Sequence, residues 1–100
     1  MIEIYGIPEE VWRCPGCVIV RDLLKRLDLS YEFYNVINEV NGQIEYDRPL
    51  IESLAKRIGC YPSLAIRYPV IYMNDIKQYD IPTFKKNLID AGYDPDIIED

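Results

Sequence analysis

Within its first 36 residues the chain changes hydrophobic period twice, and this constrains the fold more than any other feature. Ile2-Glu3-Ile4-Tyr5, continued to Ile7, reads as a short apolar strand broken at Gly6. From Cys17 onward, Val20, Leu23, Leu24 and Leu27 recur at helical spacing, with Arg21, Asp22, Lys25 and Arg26 on the opposite side. Tyr31-Glu32-Phe33-Tyr34-Asn35-Val36 then returns to strand-forming residues. Strand, helix and strand in so short a span make a β-α-β unit, which needs parallel strands and a right-handed crossover.

The remaining punctuation extends this unit. Asn41-Gly42, flanked by Val40 and Ile44, signals a tight type I′ hairpin inside the polar stretch 38–48. Pro49 opens a second helix with Ile51, Leu54, Ala55 and Ile58 inward, and Gly59 is positioned to end it in the left-handed conformation. Pro69 precedes an apolar strand, Val70–Met73, and Asn74-Asp75 turns the chain so that Ile76–Tyr79 pairs back. Pro82 fits the first turn of a third helix carrying Phe84, Leu88 and Ile89 and stopping near Gly92. The acidic tail Tyr93–Asp100 is expected to fray. The order βαβαββα predicts one α/β domain over residues 1–100, a four-stranded mixed sheet flanked by three helices. That is the minimal form of the thioredoxin fold.

Composition removes several classes of function. Apolar residues make up 49% of the chain, enough for a packed core. Eleven Lys and Arg against 17 Asp and Glu give a net charge of −6, which argues against nucleic acid as a partner. No apolar stretch approaches the roughly 20 residues that span a bilayer, and no signal-like segment opens the chain. A cytoplasmic location follows as an expectation, and with it reduced thiols. There is no histidine, which removes Ser/His and Cys/His nucleophiles, histidine bases and most zinc chemistry.

Thiols remain. Cys14-Pro15-Gly16-Cys17 falls at the first strand-to-helix junction, where a C-x-x-C spacing lets two sulfurs meet without distorting the backbone. A helix N-terminus offers unpaired N–H groups and partial positive charge, and Arg13 adds a full one, so the Cys14 thiol is expected well below its free value. Cys17 falls on the first helical turn and points inward. Cys14 is then the attacking sulfur and Cys17 the resolving one, exchanging through a mixed disulfide. The competing readings are half of a zinc site, short of ligands with only Cys60 left, and an inert structural pair. Cys60 itself reads as a small half-buried thiol or a regulatory one. Trp12 either forms a docking surface or packs under its loop, and the 38–48 hairpin is either a partner-binding loop or an insertion.

Ile4-Tyr5-Gly6, Arg13–Cys17, Tyr31–Val36 and Tyr68-Pro69 before an apolar strand together resemble the glutaredoxin family, most of all the short phage glutaredoxins. The resemblance spans residues 1 to about 90. It implies that Pro69 is cis and faces the cysteines, and that the main chain of Tyr68 pairs with the cysteinyl part of glutathione. It implies further that Arg13 meets a glutathione carboxylate, that Pro15 and Gly16 border the substrate, and that Asp80 binds the ligand's ammonium or only caps a helix. Two positions depart from the family. Tyr79-Asp80-Ile81-Pro82 stands where many members have Gly-Gly, and Gly16 stands where cellular members have tyrosine. The implied protein is a monomeric dithiol oxidoreductase with no metal and no tightly bound cofactor. It takes glutathione as co-substrate and reduces protein disulfides or glutathione mixed disulfides. Ribonucleotide reductase is the implied client, glutathione or thioredoxin reductase the electron source, and the host cytoplasm the location if a phage encodes it. A non-catalytic thioredoxin-fold binding module with a structural Cys pair is the rival, and an iron–sulfur carrier a further one.

Overall fold

The computed structural model describes residues 1–99. The chain runs β1 (Ile2–Gly6), α1 (Pro15–Arg26), β2 (Glu32–Asn35), β3 (Ile37–Val40), β4 (Gln43–Tyr46), α2 (Arg48–Ile58), β5 (Val70–Met73), β6 (Ile76–Lys77), α3 (Ile81–Asp90) and α4 (Pro95–Ile98). Four strands form one mixed sheet in the order β2-β1-β5-β6. β1 pairs parallel with β2, as a β-α-β unit demands, and antiparallel with β5; β6 folds back on β5. Among the described residues no helix is long and apolar enough to cross a membrane.

Alternation along β1 and β5 divides the core into two layers. Ile2, Ile4 and Ile71 point to the face covered by α1, α3 and α4, where they meet Val20, Leu23, Leu24, Phe84, Leu88 and Ile98. Tyr5, Val70 and Tyr72 point to the other face, where Ile51 and Leu54 of α2 cover them. Each side chain buried in this way contributes about 1.5–3 kcal/mol. The helix ends follow sequence chemistry. Asp47 accepts the Leu50 N–H to start α2, and Gly59, at φ +96°, ends it. Asn41-Gly42 and Asn74-Asp75 all have positive φ, as the tight hairpin turns require.

Two features differ from the expectation of three helices and one sheet. The 38–48 stretch does form its hairpin, but β3 and β4 pair only with each other and make a separate two-stranded sheet. The acidic tail does not fray over the described residues: it forms a fourth helix, α4. Asp94 caps that helix by accepting the Asp96 N–H, and Ile98 is fully buried in the α1/α3 layer. Arg26 of α1 also donates to the Ile97 carbonyl at 2.9 Å. Burial of one isoleucine and two backbone tethers outweigh the local repulsion among acids.

On the α2 face, Arg57 joins three elements. It donates to both carboxylate oxygens of Glu3, to the Tyr5 hydroxyl at 3.0 Å and to Asp75 at 3.2 Å. Its guanidinium lies 3.6 Å from the centroid of the Tyr72 ring. Tyr5 stacks on Tyr34, whose hydroxyl donates to Glu32. That hydrogen bond, with burial adding to it, pushes the Tyr34 phenol up to about 12. The folded state holds this proton more tightly than the unfolded chain, so the contribution is complete below pH about 10 and disappears between about 10 and 12. Across that window the parent protein should lose melting temperature faster than Tyr34→Phe. Parallel curves for the two would show that the contact adds nothing.

Candidate active site

Pro15 occupies the opening of α1, where its missing N–H costs nothing, and this sets Cys14 as the N-cap and Cys17 in the first turn. The two sulfurs are joined as a disulfide, with Cα atoms 5.3 Å apart. Cys14 retains 7% of its surface and Cys17 only 1%, so Cys14 carries the outer sulfur. The inner one lies against β1. A Cβ on Gly6 would come within 2.9 Å of the Cys17 Sγ and of the Phe33 ring, so glycine leaves the space the sulfur uses. The first turn of α1 contains no acidic residue, while Lys25 and Arg26 balance its far end. The positive end of the helix therefore acts on the sulfurs without a carboxylate in that turn to offset it. Arg13 is exposed beside them.

The Tyr68–Pro69 bond is cis, and Pro69 faces the motif. A Cβ on Gly16 would lie 2.8 Å from Pro69 Cδ and 3.5 Å from Ile81 Cδ1. The start of α1, the residues entering β5 and the start of α3 thus meet over a single glycine. This is the physical reason for glycine at position 16: a side chain there has no room. Gly16→Ala should displace Pro69 and destabilise the fold by about 1–3 kcal/mol, read as a lower Tm. An unchanged Tm would show that the contact yields without cost.

Beyond Pro69 a groove of about 690 Å³ runs between residues 65–71 and the β6–α3 junction. Tyr68, Pro69 and Asp80 line it together, joined by Arg67, Lys77 and Gln78. Cys14, Cys17, Arg13 and Pro15 do not line it; the motif approaches it through the Gly16–Pro69 contact. Asp80 caps α3 by accepting the Thr83 N–H at 2.8 Å, and hydrogen bonds from Thr83 hold its carboxyl below the ordinary carboxylate range. Burial pushes the Tyr68 phenol up, and the nearby Cys60 adds to it.

No family model matches the chain. A protein of Enterobacteria phage T4, described as an uncharacterized 11.8 kDa protein in the Gp55-nrdG intergenic region, is 62% identical over 99 residues. The match covers 99% of this chain and 95% of the phage protein. The chain belongs to the family of that T4 protein. Its relative is thus a phage protein, and the resemblance to glutaredoxins is corrected: the match is to a chain that does not bear that name, and no family model supports it. The resemblance rested on short segments such as C-x-x-C and a strand-opening proline. These report local backbone requirements that unrelated chains also meet.

Cys60 is half-buried and donates to the Ser63 carbonyl at 3.4 Å. Trp12 does not pack under its loop. It is 55% exposed and borders a second, apolar pocket. Sequence reasoning missed Gln78, which is 6% exposed, donates to the Ile76 carbonyl and accepts from Asn87 of α3. It also missed the groove cations Arg67 and Lys77. Nothing in the sequence signalled Gln78: it follows the two-residue strand β6, whose Ile76 and Lys77 are both exposed.

Proposed function

We propose that the chain is a thioredoxin-fold thiol–disulfide oxidoreductase that reduces protein disulfides or glutathione mixed disulfides in the host cytoplasm. One observation carries this reading: a Cys14–Cys17 disulfide at the N-terminus of α1, outer sulfur on Cys14, in a motif whose Gly16 meets Pro69. In the reduced chain the Cys14 thiolate attacks one sulfur of a client disulfide. A bond forms between Cys14 and that sulfur, and the client's other sulfur leaves as a thiolate that takes a proton from water. Cys17 then gives up its proton to solvent and attacks the Cys14 sulfur, closing the intramolecular disulfide and releasing the second client thiolate, which is protonated from solvent in turn. Two electrons pass from the chain to the client. Two glutathione thiols return them and become glutathione disulfide. The 690 Å³ groove supports glutathione as donor, since it offers cations at Arg67 and Lys77 and a carboxylate at Asp80 to a zwitterionic tripeptide. Ribonucleotide reductase as client and thioredoxin reductase as second donor are the macromolecular partners to assay.

The test is turnover of a small glutathione mixed disulfide by the purified chain, coupled to glutathione and, separately, to thioredoxin reductase. Turnover lost on removing Cys14 is expected. No turnover with either donor, with both cysteines intact, would remove the proposal. The low exposure of both sulfurs favours one second reading, a structural staple in a binding module. Iodoacetamide at pH about 6, applied to the reduced chain, separates the two, since only a thiolate reacts fast there.

A further inference from the structure

A second pocket, of about 460 Å³, shares Ala65, Ile66 and Tyr68 with the groove beyond Pro69. Trp12, Ile37, Tyr46, Leu64 and Tyr68 are among its walls, and among the described residues lining it Arg48 alone carries a charge. Trp12 stands two residues before Cys14, so their Cα atoms are at most about 7 Å apart. Tyr68 directly precedes Pro69, which touches the motif over Gly16. Neither sulfur lines the pocket, but Trp12 and Tyr68 bring its edge within two residues of the motif and of Pro69. Ile37 and Tyr46 of the hairpin form one of its walls; the hairpin joins no other sheet, and Ile44 and Tyr46 are exposed at 46% and 67%. Pairing of Ile37 with Tyr46 and of Glu39 with Ile44 puts all four on one hairpin face, with the acid toward the tip and Arg48 toward the base. Arg48 is only loosely engaged: its contact with Glu52 is 3.8 Å, with side chains 73% and 36% exposed.

Building on the oxidoreductase reading, we propose that this pocket seats the protein client. The occupant is an extended segment with an aliphatic or aromatic side chain near the attacked cysteine, to fill the pocket. It also carries an aspartate or glutamate to meet Arg48. The apolar walls supply affinity, and the lone cation selects against basic segments, in a chain whose net charge of −6 otherwise repels acids. Glu39 at the tip fixes the direction, since an acidic residue there meets like charge.

Trp12 is the only tryptophan, so its fluorescence reports occupancy. The probes are tryptophan-free peptides with the target cysteine changed to serine: one with leucine and glutamate, one with leucine and lysine, one with serine and glutamate. The leucine–glutamate peptide should bind at least about tenfold tighter than the other two, a difference of about 1.4 kcal/mol. Arg48→Glu should invert the order of the two leucine peptides, and Tyr46→Ala should weaken both. Equal affinities across the panel would overturn the assignment, as would an order that survives Arg48→Glu. So would a Trp12 signal that follows protein concentration alone, which would put a second copy of the chain in the pocket. The same peptides as disulfides separate this from the chemistry. Ordered binding without reduction keeps the docking surface and removes the exchange reaction; unordered binding with equal reduction rates does the reverse.

Discussion

On the oxidoreductase reading proposed above, Cys14→Ser should abolish disulfide reduction, lowering kcat/KM by at least about 10³-fold, because the sulfur that remains in the motif, on Cys17, is only 1% exposed. Cys17→Ser should behave differently. The first exchange needs only the outer sulfur, so this variant should accumulate the mixed disulfide, visible as a mass gain of one glutathione on the intact protein. The exposure of the two sulfurs predicts this asymmetry. If Cys14→Ser captured glutathione and Cys17→Ser did not, the roles would be reversed. If both variants kept full turnover, the pair would have no part in it.

Phe84→Ala should be the most damaging core substitution. Phe84 is fully buried in the layer formed with Ile4, Leu23 and Ile71, and it ties α3 to the sheet. Truncating such a ring costs about 3–5 kcal/mol, from lost burial and from the cavity left behind. Domains of this size hold only about 5–15 kcal/mol in total. The melting temperature should therefore fall by roughly 15–30 °C. Thermal unfolding followed by circular dichroism, with urea titration as a check, measures this. A loss under about 1 kcal/mol would show that α3 collapses freely onto the gap.

The parts of this fold legible in the sequence are those specified locally. Val20, Leu23 and Leu24 mark the buried stripe of α1, and Pro49 and Gly59 bracket α2 nearly to the residue. Asn41-Gly42 and Asn74-Asp75 mark both hairpin turns because their positive φ is a property of the residues themselves. The pair Cys14–Cys17 was legible from its spacing, whereas the cis bond before Pro69 was expected only from the resemblance to glutaredoxins. What escaped depends on partners distant in sequence. Ile98 sits among acids, and only the α1/α3 layer makes it a core residue. The groove cations Arg67 and Lys77 are surface charges by composition, and they converge only because β6 folds back beside residues 65–71. Membership of the glutaredoxins was over-read because motifs report local geometry and not ancestry.

Arg57 contacts Glu3 and Tyr5 on the first strand, Tyr72 on the third strand of the sheet and Asp75 in the turn beyond it. Sliding either strand by one residue would turn its aromatic ring to the opposite face. A mispaired sheet would then leave a guanidinium stranded above an apolar layer with nothing to hold it. One side chain thereby proofreads the alignment of the strand that leads into the cysteine loop with the strand that follows Pro69, so the correct pairing is the one in which Gly16 and Pro69 meet.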